Sequence, residues 1–586
     1  MNTAPLPPQE PTETHSVALL ARALCRMSTP SSPALSTAVT MLLRAASEGH
    51  TCLDLRLADS GSVARDTGHW CELLLQCGIV GAPGSFTPLI LDGSRLYLHR
   101  FRVSEDRLVG ALHERARDEC TELDDDAVRR GCRAAFEGKR GPRLSDAQKR
   151  AVLTALTRRL CVITGGPGTG KTTTVAAILT ALEAAEPSRP PRTALTAPTG
   201  KAAARMQEAL REGTSDRGAS PEALTVHRLL GAGRGFRYHA DNPLPFDLVV
   251  LDEASMIDLS LCSRLLDALT QRCRLVILGD RNQLASVQAG AVLGDLCRPD
   301  ALNRFSATAR RRFHAMGATA PETGTGSAPP LADCIVELTT AHRFNREIGA
   351  LADAVREGAF DTCMQVIEQS PRLSLRPLPP PSGLRSALGS TIREGFRPYL
   401  AATEFAGKLR AFTAFRLLCA VRQGPWGAVR LNAAVGRLLA ESEGLPAGEP
   451  LYENLPVLIT RNDYHTGLYN GDIGFVYADS DRSSGLRVQF PSPGGGLPRT
   501  FSPSRLASWE PAFALTVHKS QGSEFDRVLL LLPEIDSPLL SRELVYTAVT
   551  RARHSVEIRG SREILRAALQ RTTERGSGLG RRLWME

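Results

Sequence analysis

The stretch Val162-Ile163-Thr164-Gly165-Gly166-Pro167-Gly168-Thr169-Gly170-Lys171-Thr172-Thr173-Thr174 limits what this chain can fold into more than any other. It fills every position of the pattern G-x-x-x-x-G-K-[ST], with the apolar run Leu160–Ile163 before it and a helical pattern from Thr173 to Leu179 after it. Glycines let successive backbone N–H groups turn inward around phosphates, and the helix N-terminus adds partial positive charge. Lys171 is placed to reach the terminal phosphates and Thr172 to hold Mg²⁺ through its hydroxyl. Gly165, Gly166, Pro167, Gly168, Thr169, Gly170, Lys171, Thr172 and Thr173 are therefore the expected nucleotide cradle. Kinases, GTPases, transporters and helicases all use such a loop.

A second stretch narrows the choice. Leu248-Val249-Val250-Leu251 ends in Asp252-Glu253, two carboxylates at the tip of an apolar strand. Asp252 is expected to support Mg²⁺ and Glu253 to take a proton from the attacking water, which favours hydrolysis over phosphoryl transfer to a metabolite. Leu278-Gly279-Asp280-Arg281-Asn282-Gln283 ends another buried run and puts Gln283 where it can sense the terminal phosphate.

The runs Cys161–Thr164, Thr193–Ala197, Leu248–Leu251 and Arg274–Leu278 alternate with helical patterns, which predicts a parallel sheet covered on both faces. A second α/β unit is expected from Arg410 to Gly560, with runs Phe415–Val421, Val528–Leu532 and Ser555–Ile558. Inside it, Leu455–Thr460, Gly471–Tyr477 and Leu486–Phe490 are punctuated by turn residues and predict a small β-barrel insertion at about 450–510. Before the first unit, Leu89–Leu91 and Arg95–Leu98 flank Asp92-Gly93, a hairpin signal. Gly141-Pro142-Arg143 marks a boundary. The expected division is 1–140, 141–335 and 336–586. The tract 303–333 reads as a mobile insertion, and 370–388 is weakly patterned.

A length of 586 residues suits about three to five domains. The net charge of +9 favours a polyanionic partner without proving one. Thirteen cysteines without a C-x-x-C spacing read as small core residues in a reducing compartment. A secretory signal is not expected, and no uncharged run approaches membrane-spanning length, so a cytoplasmic location without membrane contact is expected.

Thr196-Ala197-Pro198-Thr199-Gly200-Lys201-Ala202-Ala203, Ala514-Leu515-Thr516-Val517-His518-Lys519-Ser520-Gln521-Gly522-Ser523-Glu524-Phe525 and Tyr546-Thr547-Ala548-Val549-Thr550-Arg551-Ala552-Arg553 complete an ordered set that resembles the motifs of superfamily 1 helicases. Thr225-Val226-His227-Arg228-Leu229-Leu230-Gly231, Arg461-Asn462-Asp463-Tyr464, Asn470-Gly471-Asp472-Ile473-Gly474, Arg575-Gly576-Ser577-Gly578-Leu579 and the Asp92-Gly93 hairpin are similar to the RecD family, the alpha subunits of exodeoxyribonuclease V. The resemblance runs from about residue 86 to the C-terminus.

What the resemblance implies is an ATP-dependent 5′-to-3′ DNA helicase with two RecA-like domains closing on ATP. Lys171, Asp252, Glu253 and Gln283 would line one face of that site, and Arg343 and Arg551 the other. Arg343 lies in Ala341-His342-Arg343-Phe344, where the family pattern has Tyr before the Arg. Glu524 is placed at the nucleotide, and Pro198, Thr199, Thr516 and His518 along the single strand. Gln148 has two readings: adenine recognition by resemblance, or the return half of a capping box with Ser145. Arg310-Arg311-Arg312 reads as a solvated charge run. The implied partners are single-stranded and duplex-end DNA and the RecB and RecC subunits, with residues 1–140 as docking module and no nuclease site in this chain. A free-standing superfamily 1 helicase and a non-motor ATP-gated DNA-binding protein are the alternatives.

Overall fold

Apolar runs without alternation are what a strand needs when helices cover both of its faces. The computed structural model describes residues 12–28, 32–58, 66–137, 143–213, 222–233, 235–321, 328–340, 346–443, 449–463, 465–479, 485–492, 496–573 and 575–585. In it those runs become the central strands of two parallel sheets.

A small sheet comes first: β1 (Cys52–Asp54), β2 (Val80–Gly81), β3 (Leu89–Asp92) and β4 (Arg95–Leu98), in the order β1-β4-β3-β2. The expected hairpin is β3–β4, turned at Gly93 with φ +59°. The first large sheet, the centre of lobe 1, holds β5 (Leu160–Gly165), β6 (Thr193–Ala197), β7 (Ala223–Thr225), β8 (Leu248–Leu251), β9 (Arg274–Gly279) and β10 (Ile335–Leu338). Its order is β10-β5-β9-β8-β6-β7 and every pairing is parallel. All residues of β5, β8 and β9 are buried. One face packs against the N-terminal helices and the other against helices Asp125–Phe136, Asp146–Thr157 and Lys171–Ala185.

Lobe 2 is built on β11 (Leu373–Arg376) and β12 (Phe415–Cys419), then an inserted sheet of β13 (Pro456–Ile459), β14 (Ile473–Ala478), β15 (Leu486–Phe490), β16 (Arg499–Phe501) and β17 (Trp509–Pro511). The chain then returns as β18 (Ala514–Thr516), β19 (Phe525–Leu531) and β20 (Ala552–Arg559). The parallel order is β11-β20-β19-β12-β18, so the weakly patterned tract supplies an edge strand, Leu373 pairing with Val556. The insertion is antiparallel in the order β16-β15-β14-β13-β17, and its edges do not pair among the described residues. It is therefore an open sheet, a correction to the expected barrel. Turn residues mark where strands end, whereas closure requires the first and last strands to meet with a matching stagger, which no local pattern specifies.

Residues 303–321 also differ from expectation. Ser306 caps the helix Ala307–Ala315, and Phe305 and Phe313 meet edge to face at 5.0 Å inside the lobe 1 core. Two spaced aromatics, hidden in a Gly/Ala/Thr-rich context, override the composition; residues 322–327 lie outside the described set. Arg312 pairs with Glu119 at 3.6 Å, while Arg311 is exposed.

The helix Asp125–Phe136 belongs physically to lobe 1: a Cβ on Gly131 would lie 2.6 Å from the Ala181 carbonyl, so only glycine permits this approach. The C-terminal segment returns to the N-terminal region, where Thr51 N–H donates to the Gly576 carbonyl at 2.9 Å. The Trp584 indole donates to the Asp295 carbonyl at 3.0 Å. All thirteen cysteines are free thiols, most of them buried. Among the described residues no helix is long and apolar enough to cross a membrane.

Candidate active site

The loop after β5 turns back through Gly168 and Gly170, whose φ values of +77° and +86° are costly for residues with a side chain. Lys171 opens the next helix, and its ammonium donates to the carbonyls of Gly165 at 2.7 Å and Gly166 at 3.0 Å, inside the loop. The Thr169 hydroxyl donates to the Gly166 carbonyl at 2.8 Å and fixes the loop's curvature. Thr172 and Thr173 occupy the first turn of that helix. Gln148 takes the capping-box half of its two readings and adds a contact to the phosphate loop. Its carbonyl oxygen accepts from the Ser145 N–H at 2.9 Å, completing the capping box, while its amide donates to the Gly170 carbonyl at 3.3 Å. The helix cap thus braces the phosphate loop.

β8 delivers Asp252 beside this loop, with its N–H anchored to the Thr196 carbonyl at 2.8 Å. Burial and the neighbouring Glu253 charge push the Asp252 carboxyl upward, and Lys171 opposes them. Glu253 adopts φ +51°, a left-handed conformation rare outside glycine. Such a backbone costs about 1–3 kcal/mol and persists only where the surroundings impose it.

β9 ends at Asp280, 1% exposed, whose carboxylate accepts from the Gln283 amide at 3.1 Å and from the Tyr546 hydroxyl of lobe 2 at 3.0 Å. Leu284 is gripped from lobe 2 at both backbone groups: its N–H donates to the Thr547 hydroxyl at 3.0 Å, and its carbonyl accepts from the Gln521 amide at 2.8 Å. The carbonyl oxygen of Gln283 is buried and finds no donor among the described residues.

Arg551 faces this cluster from lobe 2. It is 2% exposed and donates to the carbonyls of Thr547 and Ser523, each at 3.2 Å. Burial lowers its pKa, and the charges of Glu253, Glu524 and Asp280 counter that effect. Glu524 is held between Arg205 of lobe 1 and Arg553, the latter at 2.9 Å. Lys201 lies in the same cleft, pushed down to about 7 by burial and by the charges of Arg416, Arg205 and Arg551, with Asp472 opposing. Arg343 falls outside the described residues.

Two of the residues expected along the single strand act as local caps. The Thr199 hydroxyl accepts from the Ala202 N–H at 3.2 Å, and the Thr516 hydroxyl accepts from the Lys519 N–H at 3.4 Å. Pro198 and Thr199 follow β6, while Thr516 ends β18 and His518 opens the next turn, so both pairs sit at carboxyl ends of parallel strands. Burial and the Arg575 charge lower the His518 pKa and keep the ring neutral at pH 7. Tyr546, Thr547, Gln521, Arg205 and Arg553 carry no role in the sequence reading. Four of them stand inside the quoted motifs, but the lobe-crossing partners of Tyr546, Thr547, Gln521 and Arg205 lie hundreds of residues away, so no local pattern names them.

A phosphate loop, a carboxylate pair and a polar sensor on one parallel sheet, faced by a buried arginine from a second, define a two-lobed P-loop NTPase of the helicase type. Residues 148–289 match the AAA domain family, 511–558 the UvrD-like helicase C-terminal domain, and 18–97 the N-terminal domain of the RecBCD enzyme subunit RecD. The RecBCD enzyme subunit RecD of Mycobacterium tuberculosis is 38% identical, covering 96% of this chain and 94% of its own length. That of Mycolicibacterium smegmatis is 37% identical over 98% and 97% respectively. The ATP-dependent RecD2 DNA helicase of Deinococcus radiodurans is 32% identical over 74% of this chain and 51% of its own. The chain belongs to the RecD family.

Proposed function

We propose that this chain is an ATP-dependent helicase that translocates on single-stranded DNA, 5′ to 3′, as a cytoplasmic motor subunit of a RecBCD-type helicase and nuclease complex acting at duplex ends. The observation that carries this reading is that Tyr546, Thr547 and Gln521 bond Asp280 and Leu284 at the end of the lobe 1 sheet, in the segments that also hold the buried Arg551, whose charge reaches Glu253 and Asp280. The loop N–H groups and Lys171 bind the phosphates of ATP. The Thr172 hydroxyl and the half-buried Asp252 carboxylate are oxygen donors suited to a hard cation, and these two would hold Mg²⁺, which offsets phosphate charge when bound. Glu253 accepts the proton of the attacking water. The unpaired Gln283 carbonyl oxygen, whose amide is already committed to Asp280, is free to hold that water by accepting a hydrogen bond from its other O–H, which stays on the attacking oxygen. Arg551 stabilises charge developing on the transferred group once the lobes close.

Exposed apolar side chains support docking through the N-terminal region. Leu19, Leu20, Met27, Leu57, Leu75 and Phe86 are all at least half exposed, Leu57 at 88% and Phe86 at 97%. RecB- and RecC-type subunits are the proposed occupants, and they supply the nuclease. Strand displacement by the purified chain, with Lys171→Gln as control, tests the motor: the proposal expects unwinding of 5′-tailed duplexes, activity confined to 3′-tailed ones overturns the direction, and ATP turnover without unwinding favours a non-motor binding protein. Leu57→Asp with Phe86→Asp should abolish co-purification with those subunits while ATP turnover persists; unchanged co-purification favours a free-standing helicase.

A further inference from the structure

The helix Gly200–Gly213 starts directly after Pro198 and Thr199 and runs along the lobe 1 side of the cleft. Two of its residues meet the Gln521–Phe525 segment of lobe 2. Gly522, with φ +70°, presents so bare a backbone to Ala202 that a Cβ there would lie 3.5 Å from the Ala202 methyl. Three residues further along the helix, on the same face, Arg205 forms an ion pair with Oε1 of Glu524. The other carboxylate oxygen accepts from Arg553 Nε at 3.1 Å and Nη2 at 2.9 Å. Glu524 is only 10% exposed, so one buried carboxylate is shared by guanidinium groups from opposite lobes.

What surrounds this triad gives it significance. Thr516 and His518 lie a few residues before Glu524, as Pro198 and Thr199 lie a few before Arg205, so each arm of the contact carries one half of the proposed strand path. Ser523, next to Glu524, accepts from Arg551 at 3.2 Å. The Arg205 charge also reaches Asp252, Lys201 and Arg551. The pair therefore ties the strand path to the cleft chemistry without touching the phosphate loop itself.

We infer that Arg205 is a positioning residue of the motor: by holding Glu524 against the helix that follows Pro198 and Thr199, it sets the spacing between the two halves of the strand path and keeps Arg551 aimed at Glu253. The inference rests on the helicase reading. Removal of Arg205 leaves the nucleotide cradle whole but lets the lobes close out of register, so hydrolysis no longer tracks strand binding.

The test uses the full chain and its Arg205→Ala, Arg205→Lys, Glu524→Gln and Arg205→Ala/Glu524→Gln variants, with oligo(dT) as the single strand. Arg205→Ala should lower strand-stimulated kcat about tenfold, change the KM for ATP less than about twofold, and reduce duplex opened per ATP hydrolysed. Arg205→Lys should restore most of the loss, and the double variant should be no worse than the worse single one. Parental stimulation and parental duplex opened per ATP in Arg205→Ala overturn the inference, as do effects that multiply independently in the double variant. If Arg205→Ala does not fold, Arg205→Lys and Glu524→Gln complete the same cycle. A parental chain that no single strand stimulates overturns the helicase reading instead.

Discussion

In lobe 1 the loops after β5, β8 and β9 hold Lys171, the Asp252–Glu253 pair and the Asp280–Gln283 sensor, each within a few residues of a fully buried strand. In lobe 2 a parallel sheet of the same kind offers Tyr546, Thr547 and Gln521, which bond Asp280 and Leu284 of lobe 1, while Arg551 and Arg553 are held by partners of lobe 2 itself. One sheet is built to bind phosphate by itself. The other is proposed to complete the site when the two are in register. Similar architecture thus carries unequal side chains, and the proposed hydrolysis is conditional on lobe position.

The contrast is tested most severely by Lys171→Gln, which removes the cation of the self-sufficient lobe while keeping a similar side-chain length. ATP hydrolysis should fall to background in a protein with an unaltered thermal transition, and near-normal strand-stimulated turnover would break the assignment. Arg551→Ala comes next. It should lower kcat on the order of 10³-fold with a much smaller loss of nucleotide affinity. Because Arg551 also satisfies the carbonyls of Thr547 and Ser523, Arg551→Lys serves as the check on folding. An affinity collapse with unchanged turnover at saturation would make Arg551 a ground-state binder.

Gln283→Ala should reduce turnover about 10²-fold, as loss of one preorganised polar group commonly does, and single-turnover kinetics place the loss in the chemical step. Tyr546→Phe tests the seam: it deletes one donor to the buried Asp280 carboxylate and should cost about 1.5–3 kcal/mol of stability with only a few-fold change in rate. Denaturant unfolding reads the first effect and steady-state turnover the second. The smallest effect concerns His518. Its folded pKa lies below the ordinary value, so the unfolded chain binds the extra proton more readily; stability is full above about pH 6.5 and falls as pH drops below it. The Tm of the parent should therefore drop more than that of His518→Gln between pH 7.5 and 5.5, by about 2 °C or less.

Legibility followed the range of the interactions. The phosphate loop, β8 with its carboxylates and the β3–β4 hairpin were readable because glycine spacing, an unbroken apolar run and an Asp-Gly turn act within a dozen residues. The capping box of Gln148 was readable from Ser145 three residues before it, whereas its bond to the Gly170 carbonyl was not, since that partner lies 22 residues away. The open insertion sheet and the packed helix at 307–315 were misread because closure and burial depend on distant partners. The contacts of Arg205 and Tyr546 were not readable, their partners lying 319 and 266 residues away.

By itself, then, the sequence determined the strand-loop-helix that cradles phosphate, the residue types beside it and the alternation that makes two parallel sheets, because each is a short-range consequence of backbone geometry and apolar patterning. Only the tertiary structure decided which polar groups of lobe 2 meet Asp280, Leu284 and Arg205, and that the segment around Gly576 returns to the N-terminal region at Thr51. The physical reason is that these contacts satisfy buried polar groups drawn from segments far apart in the chain, and their pairing is fixed by how the sheets pack rather than by any local preference.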